Sequence, residues 1–251
     1  DDVRRPFRDM SELCRVMSLC HDVLRLEKPH VTDAFDELCK ILFAKLCDEM
    51  EVVKGTKKEH LFSYGASNET TADTLKQLFR EAKKQYPDVF PTKATIELKP
   101  STLAKVVQIL EGYSILGSSM DIKGGAYEAF LSSVLPVGKV VGQFFTPSPI
   151  VDFATKMISP LLSEKVIDPA VGTAGFLVAC AKHVWQTTVS DQKKRRYLIE
   201  HLFGVDIDRR MVRLARLNLL MYSGGTLVNA ISSTRVYHNN GLLDDVEHDI
   251  R

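Results

Sequence analysis

The sequence predicts an α/β protein, with an α-helical N-terminal domain over residues 1–135 and a parallel-sheet domain over 136–251. Three observations carry that reading. The first half repeats apolar residues at three- and four-residue steps, the period of amphipathic helices. From Lys139 onward, short apolar runs alternate with helical segments, as in strand–helix–strand units of a parallel sheet. The third is the run Val166-Ile167-Asp168-Pro169-Ala170-Val171-Gly172-Thr173-Ala174-Gly175-Phe176-Leu177. It reads as a strand ended by an acid and a proline, a turn of small residues, and the start of a helix.

In the first half, residues 11–26 place Leu13, Val16, Met17, Cys20, Val23 and Leu24 along one face. Beyond Lys28-Pro29, a run over 32–52 carries Phe35, Leu38, Cys39, Leu42, Phe43 and Leu46, with Thr32-Asp33 as its expected cap. Residues 54–68 are polar with two glycines and read as a loop. A third helix is expected over 69–86, stopped by Pro87, and residues 87–100 hold three prolines and read as a connection. A fourth helix is expected over 101–113, and a fifth over 121–135 with Tyr127, Phe130, Leu131 and Val134 on one face. Five helices with short connections suit a helical domain.

The second half opens with a loop over 140–147 and a helix over 148–158, for which Ser148-Pro149 is the expected cap and first turn. Strands are expected over 165–167, 202–205 and 234–238, and helices over 173–187, 191–201 and 208–222, the last ended by Gly224-Gly225. Lys193-Lys194-Arg195-Arg196 reads as a solvated helix face, and so do Arg209, Arg210, Arg213 and Arg216 on the last helix. Trp185 reads as packing.

Composition excludes several classes. Lys and Arg total 33 against 32 acids, a net charge of +1, so nucleic acid is not held by bulk charge alone. From Pro136 onward 14 basic residues face 11 acidic ones, a surplus that permits DNA contact without demanding it. No apolar run is long enough to span a bilayer, so no membrane partner is expected, and no basic-then-apolar secretory segment opens the chain. Five cysteines, at 14, 20, 39, 47 and 180, make an odd count without Cys-x-x-Cys. They read as reduced core thiols, which points to the cytoplasm. The histidines form no metal-ligand spacing, and no metal is expected.

The chemistry-bearing segments lie in the second half. Gly172 and Gly175 let backbone approach a ligand closely. Asp168 stands at the carboxyl end of the first strand, where open α/β sheets bind ligands. A carboxylate there repels a pyrophosphate and suits an ammonium group, and Gly-x-Gly-x-x-Gly is absent. Asp206, at the end of the second strand, can accept hydrogen bonds from both ribose hydroxyls of an adenosine. It lies farther from Gly172 than the simple dinucleotide fingerprint has it, and an extra helix accounts for the excess. Asp208 reads as the N-cap of the helix that follows.

With Gly142-Gln143-Phe144-Phe145-Thr146-Pro147 upstream, these segments resemble the adenine-N6 DNA methyltransferases, and among them the modification subunit of type I restriction–modification systems. The upstream loop matches the family's Gly-Gln-aromatic-aromatic-Thr-Pro fully. Asp168 to Phe176 matches Asp-Pro-Ala-Cys-Gly-Thr-Gly-Gly-Phe with two departures, Val171 for Cys and Ala174 for Gly. Tyr127-Glu128-x-Phe130-Leu131 is similar to the helix leading into the loop. The likeness covers about residues 121–245, and the helical N-terminal region fits in order and character.

The resemblance implies a truncated Rossmann-like methyltransferase domain that takes S-adenosylmethionine as cofactor. It further implies that Gln143 and Phe145 belong to the donor pocket, with Phe145, Thr146 and Pro147 wrapping the methionine end and Thr146 bonding its carboxylate. Asp168 would hold the ammonium side, with Ala170 and Gly175 in the same turn and Gly172 and Thr173 under the sugar and methionine. Asp206 would take the ribose hydroxyls and Ile207 would pack on the adenine. At the place of the family's next acid stands Asn240, whose carbonyl can accept from the adenine amino group without a charge. Implied partners are double-stranded DNA and the specificity and restriction subunits of the same system.

Methyl transfer needs a flipped adenine, which the family holds with Asn-Pro-Pro-aromatic after the fourth strand. The asparagines here, at 68, 218, 229, 239 and 240, are never followed by Pro. The chain therefore reads as a fragment that binds cofactor at best and does not methylate by itself, with no catalytic residue to name. A stand-alone adenine methylase and a non-catalytic cofactor-binding or assembly module remain alternatives. Asp168-Pro169 and the missing glycine pattern weigh against a nicotinamide dehydrogenase.

Overall fold

Asp9 opens the first helix of the computed structural model, which describes residues 4–87, 89–118, 146–188, 190–223 and 234–242. Its carboxylate accepts the Glu12 amide at 2.8 Å, capping α1 (Met10–Arg25), whose Leu13, Val16, Met17, Cys20 and Leu24 are buried. The chain divides into two compact units, Asp1–Phe144 and Phe145–Arg251. The first holds α1, α2 (Val31–Val53), α3 (Asn68–Gln85) and α4 (Pro100–Leu110), with a two-residue parallel pairing of β1 (Arg5–Pro6) and β2 (Tyr113–Ser114). Ser67 caps α3 by accepting the Thr70 amide. Thr32-Asp33 does not cap α2. His30 is the N-cap, with no side-chain bond, because its carbonyl already accepts the Asp33 and Ala34 amides.

The core of this unit gathers Phe43, Phe79 and Phe90, with Phe79 and Phe90 ring centroids 5.2 Å apart in an edge-to-face arrangement. Two adjacent buried acids on α2 each pin a loop. Asp48 accepts the Leu61 and Phe62 amides, while Glu49 accepts the Ile115 and Leu116 amides and pairs with buried Lys45 at 2.9 Å. That grip explains why α4 stops at Leu110 and does not run to 113. Tyr113 and Ser114 are drawn beside β1, and the amides after them find their acceptors on Glu49. The expected helix over 121–135 lies outside the described residues.

In the second unit, α5 (Ser148–Ile158) precedes β3 (Val166–Asp168), α6 (Gly175–Gln186), α7 (Asp191–Glu200), β4 (Leu202–Asp206), α8 (Arg209–Tyr222) and β5 (Arg235–His238). The three strands form a parallel sheet in the order β3-β4-β5, with Asp168 opposite Gly204 and Asp206 opposite His238. Ser148-Pro149 is not the cap of α5. Pro147 is, its carbonyl taking the Ile150 and Val151 amides, while Ser148 and Pro149 sit inside the first turn, where the missing proline N–H costs nothing. α6 begins at Gly175 and not at 173, because Ala174 is left-handed, at φ 67°.

Asp208 caps α8 as expected, accepting the Arg210 amide at 2.8 Å. Arg216 departs from the solvent-facing reading. It is half-buried and donates to the Val236 carbonyl at 2.6 Å, tying α8 to β5. Trp185 stacks on Tyr222 with centroids 4.8 Å apart. All five cysteines are free thiols, and all but Cys14 are buried. Among the described residues no helix is long and apolar enough to cross a membrane.

Candidate functional site

The chain that leaves β3 is held by its neighbours at almost every step. The Asp168 carboxylate accepts the Ala170 amide at 3.1 Å. The Val171 amide donates to the Val205 carbonyl at 2.8 Å, and the Gly172 amide donates to the Asp206 carboxylate at 2.9 Å. From α8, the Asn218 side-chain amide donates to the Thr173 carbonyl at 2.9 Å. Gly172 has φ +50°, a conformation that an L side chain adopts only at a cost. Ala174 accepts the same kind of cost, with its methyl buried.

Val171 is buried against β4, and the room for it comes from Gly204. A Cβ on Gly204 would stand 2.7 Å from a Val171 methyl and 3.3 Å from Leu177. Sequence reasoning gave Gly204 no role. The available signal was a glycine inside a strand pattern, which often marks a close approach.

The Asp206 carboxylate carries two backbone bonds at the tip of β4, to Gly172 with one oxygen and to the Asp208 amide at 2.8 Å with the other. Its backbone carbonyl accepts the Asn239 amide at 3.1 Å. Next to it, the Ile207 carbonyl accepts from the His238 ring at 3.0 Å, while the Ile207 side chain is 72% exposed. Gly241 lies so close to Pro169 that a Cβ would overlap the Pro169 carbonyl oxygen. The loop after β5 thus crosses the tip of β4 and reaches the turn after β3. Within that loop Asn240 accepts the Leu242 amide at 3.1 Å and donates its own amide to the Asn239 side chain at 2.8 Å.

The electrostatics follow from this closeness. Burial holds the Asp168 carboxyl above the ordinary aspartate range, and the charge of Asp206 pushes it the same way. Two acids at neighbouring strand-ends repel an anionic ligand and favour a cationic one. Among the described residues no group of three or more His, Cys, Asp or Glu side chains could hold a metal ion.

α5 packs against α6, and Ser159, just past the end of α5, meets His183 of α6 at 3.2 Å.

The structure therefore gathers Asp168, Ala170, Gly172, Thr173, Gly175, Asp206, Ile207 and Asn240 at the carboxyl end of one sheet. Thr146 and Pro147 are exposed ahead of α5, and among the described residues no hydrogen bond joins them to that turn. Thr173 is buried and serves the turn through its carbonyl. Gln143 and Phe145 lie outside the described residues.

Residues 118–250 match the family described as N-6 DNA Methylase. The type I restriction enzyme StySJI methylase subunit of Salmonella typhimurium strain LT2 is 28% identical over 227 residues, covering 84% of this chain and 43% of that protein. The EcoEI methylase subunit of Escherichia coli is 31% identical over 99 residues, 39% of this chain and 20% of that one. Among solved structures, the type I restriction–modification system methyltransferase subunit from Streptococcus thermophilus shares the fold, with a TM-score of 0.62 at 17% identity over 96% of this chain and 61% of that one. The chain spans about two-fifths of the length of the StySJI relative.

Proposed function

The chain belongs to the N-6 DNA methylase family, and on that premise we propose that its second unit binds S-adenosylmethionine at the carboxyl end of β3, β4 and β5. The observation that carries this reading is the bond between Asp206 and the Gly172 amide, which joins the acid of one strand to the turn of another beside half-buried Asp168. The residues fit the ligand's chemistry. S-adenosylmethionine when bound supplies an electrophilic methyl group on a cationic sulfonium, next to an ammonium. Asp168 and Asp206 offer that charge the negative field it needs. Gly172 presents bare backbone, with nothing but the Ala170 carbonyl within 4.0 Å of where a Cβ would stand. Each Asp206 oxygen uses one lone pair on an amide and keeps another for a ribose hydroxyl.

Asn240 keeps a lone pair on its side-chain carbonyl for an adenine amino group; Phe145, Thr146 and Pro147 are assigned to the methionine end, and Gln143 to the same donor pocket. The activity we propose is methylation of adenine N6 in double-stranded DNA, in the cytoplasm, as the modification subunit of a type I system with specificity and restriction subunits. To this chain, in which no Asn precedes a Pro, we assign the donor-binding part of that task.

Calorimetric titration of S-adenosylmethionine into the 251-residue chain tests the assignment. Binding that weakens in Asp206→Ala and in Asp168→Asn supports it. A folded chain that takes up no ligand overturns it.

A further inference from the structure

We infer that His238 is a positioning residue for the adenosine end of the ligand, acting through Ile207. The inference rests on the donor-binding reading above. An exposed isoleucine in an ordinary surface turn samples many conformations. Ile207 does not stand in such a turn. The peptide groups around it are pinned on three sides. The Asp206 carbonyl accepts the Asn239 amide at 3.1 Å, the Asp208 amide donates to the Asp206 carboxylate at 2.8 Å, and the Ile207 carbonyl accepts from His238 at 3.0 Å. The side chain nonetheless remains 72% exposed. An apolar group carried on a pinned backbone and left open to water has the backbone part of its ordering entropy already spent, which favours binding a flat apolar partner.

The chemistry of the partner follows from position. In an adenosine the base sits on the carbon next to the 2′-hydroxyl. A ribose gripped by Asp206 therefore lays its base against the neighbouring residue, Ile207. One of the three pins is backbone to backbone, the second uses the Asp206 carboxylate that also grips the ribose, and the third depends on the His238 ring. A carbonyl oxygen only accepts, so the His238 nitrogen facing it carries the proton, and His238 is the Nε2–H tautomer when neutral. Register places it there, because His238 pairs with Asp206 across β4 and β5 and its ring reaches one residue further along the neighbouring tip.

The test compares wild type, His238→Ala, His238→Gln, His238→Asn, Ile207→Ala and the double variant His238→Ala/Ile207→Ala, with S-adenosylmethionine as titrant in calorimetry. A glutamine side-chain nitrogen superposes on histidine Nε2, and an asparagine nitrogen on Nδ1, too short to reach the Ile207 carbonyl. Loss of one exposed hydrogen bond predicts about threefold weaker binding for His238→Ala. Loss of apolar ring contact predicts about tenfold for Ile207→Ala. His238→Gln should return to wild-type affinity and His238→Asn should not. In the Ile207→Ala background His238→Ala should add nothing, because the two residues act on one contact. Unchanged affinity in His238→Ala, failure of His238→Gln to restore it, or full additivity of the two alanine variants overturns the role of His238 while leaving donor binding intact. Absence of binding by wild type removes the donor reading, and this role with it.

Discussion

Replacing Asp206 by alanine should destabilise the second unit before any ligand is considered. The side chain accepts two backbone amides, Gly172 at 2.9 Å and Asp208 at 2.8 Å. Hydrogen bonds to a charged acceptor contribute about 1.5–3 kcal/mol each, and a half-buried site where water can step in argues for the low end, so the loss is about 2–3 kcal/mol. The reporter is built in. Trp185 is the chain's single tryptophan and lies in α6, stacked on Tyr222. Its emission follows the second unit without interference from the first. With a urea slope of about 2 kcal/mol per molar, the midpoint should fall by about 1–1.5 M. Asp206→Asn should fall between, because its one remaining carbonyl oxygen can serve only one amide well while its amino group faces the other. All of this is measured without ligand, so it separates the scaffold role of Asp206 from any ribose contact. An Asp206→Ala midpoint within about 0.3 M of wild type, at that same slope, would refute the view that this carboxylate ties the two strand-ends together.

Three further outcomes are expected. Gly204→Ala should lose about 1–3 kcal/mol by overpacking against Val171, and in a Val171→Ala background the cost should shrink by at least about 1 kcal/mol, both read from Trp185 in urea; strict additivity would show that the contact is not what limits the site. Gly172→Ala should cost about 1 kcal/mol through its left-handed backbone alone, and Gly172→Asn less, since asparagine tolerates that region; equal costs would point to an unrecognised clash. Asp168 is held above its ordinary pKa by burial and by Asp206. A group raised in the folded state contributes stability that is present below its unfolded pKa and lost as pH rises through the folded one. Asp168→Asn should therefore melt higher than wild type at pH 7, with the difference closing as the pH falls below the ordinary aspartate value of 3.8, and it should bind the cationic donor more weakly. A lower melting temperature at pH 7 would contradict the burial argument.

Much of this molecule was legible in the chain because the signals are local. Helical periodicity located α1, α2, α3 and α4, and the alternation after Lys139 located the parallel sheet, because both report which face of a segment avoids water. Asp208 as the cap of α8 was legible for the same reason, since a cap is a bond between near neighbours. The caps that were misread show the limit of that logic. At His30 and Pro147 the backbone closes the first turn by itself, and the residues that advertise capping sit one to three positions inside. Arg216 looked like one more surface charge on a periodic helix until β5 supplied a carbonyl for it.

What the sequence alone determined is the chemistry on offer at the strand-ends: an acid and a glycine turn after one strand, an acid and an isoleucine after the next, an amide-bearing loop after the third. Tertiary structure decided how those pieces act on one another. It set the Asp206 carboxylate on the Gly172 amide, packed Val171 into the space above Gly204, laid the loop of Gly241 across the tip of β4 onto Pro169, and aimed His238 at the Ile207 carbonyl. Each of these contacts joins residues far apart in the chain through the register of a parallel sheet. Register is a property of the paired strands and their packed helices together, and no single segment carries it.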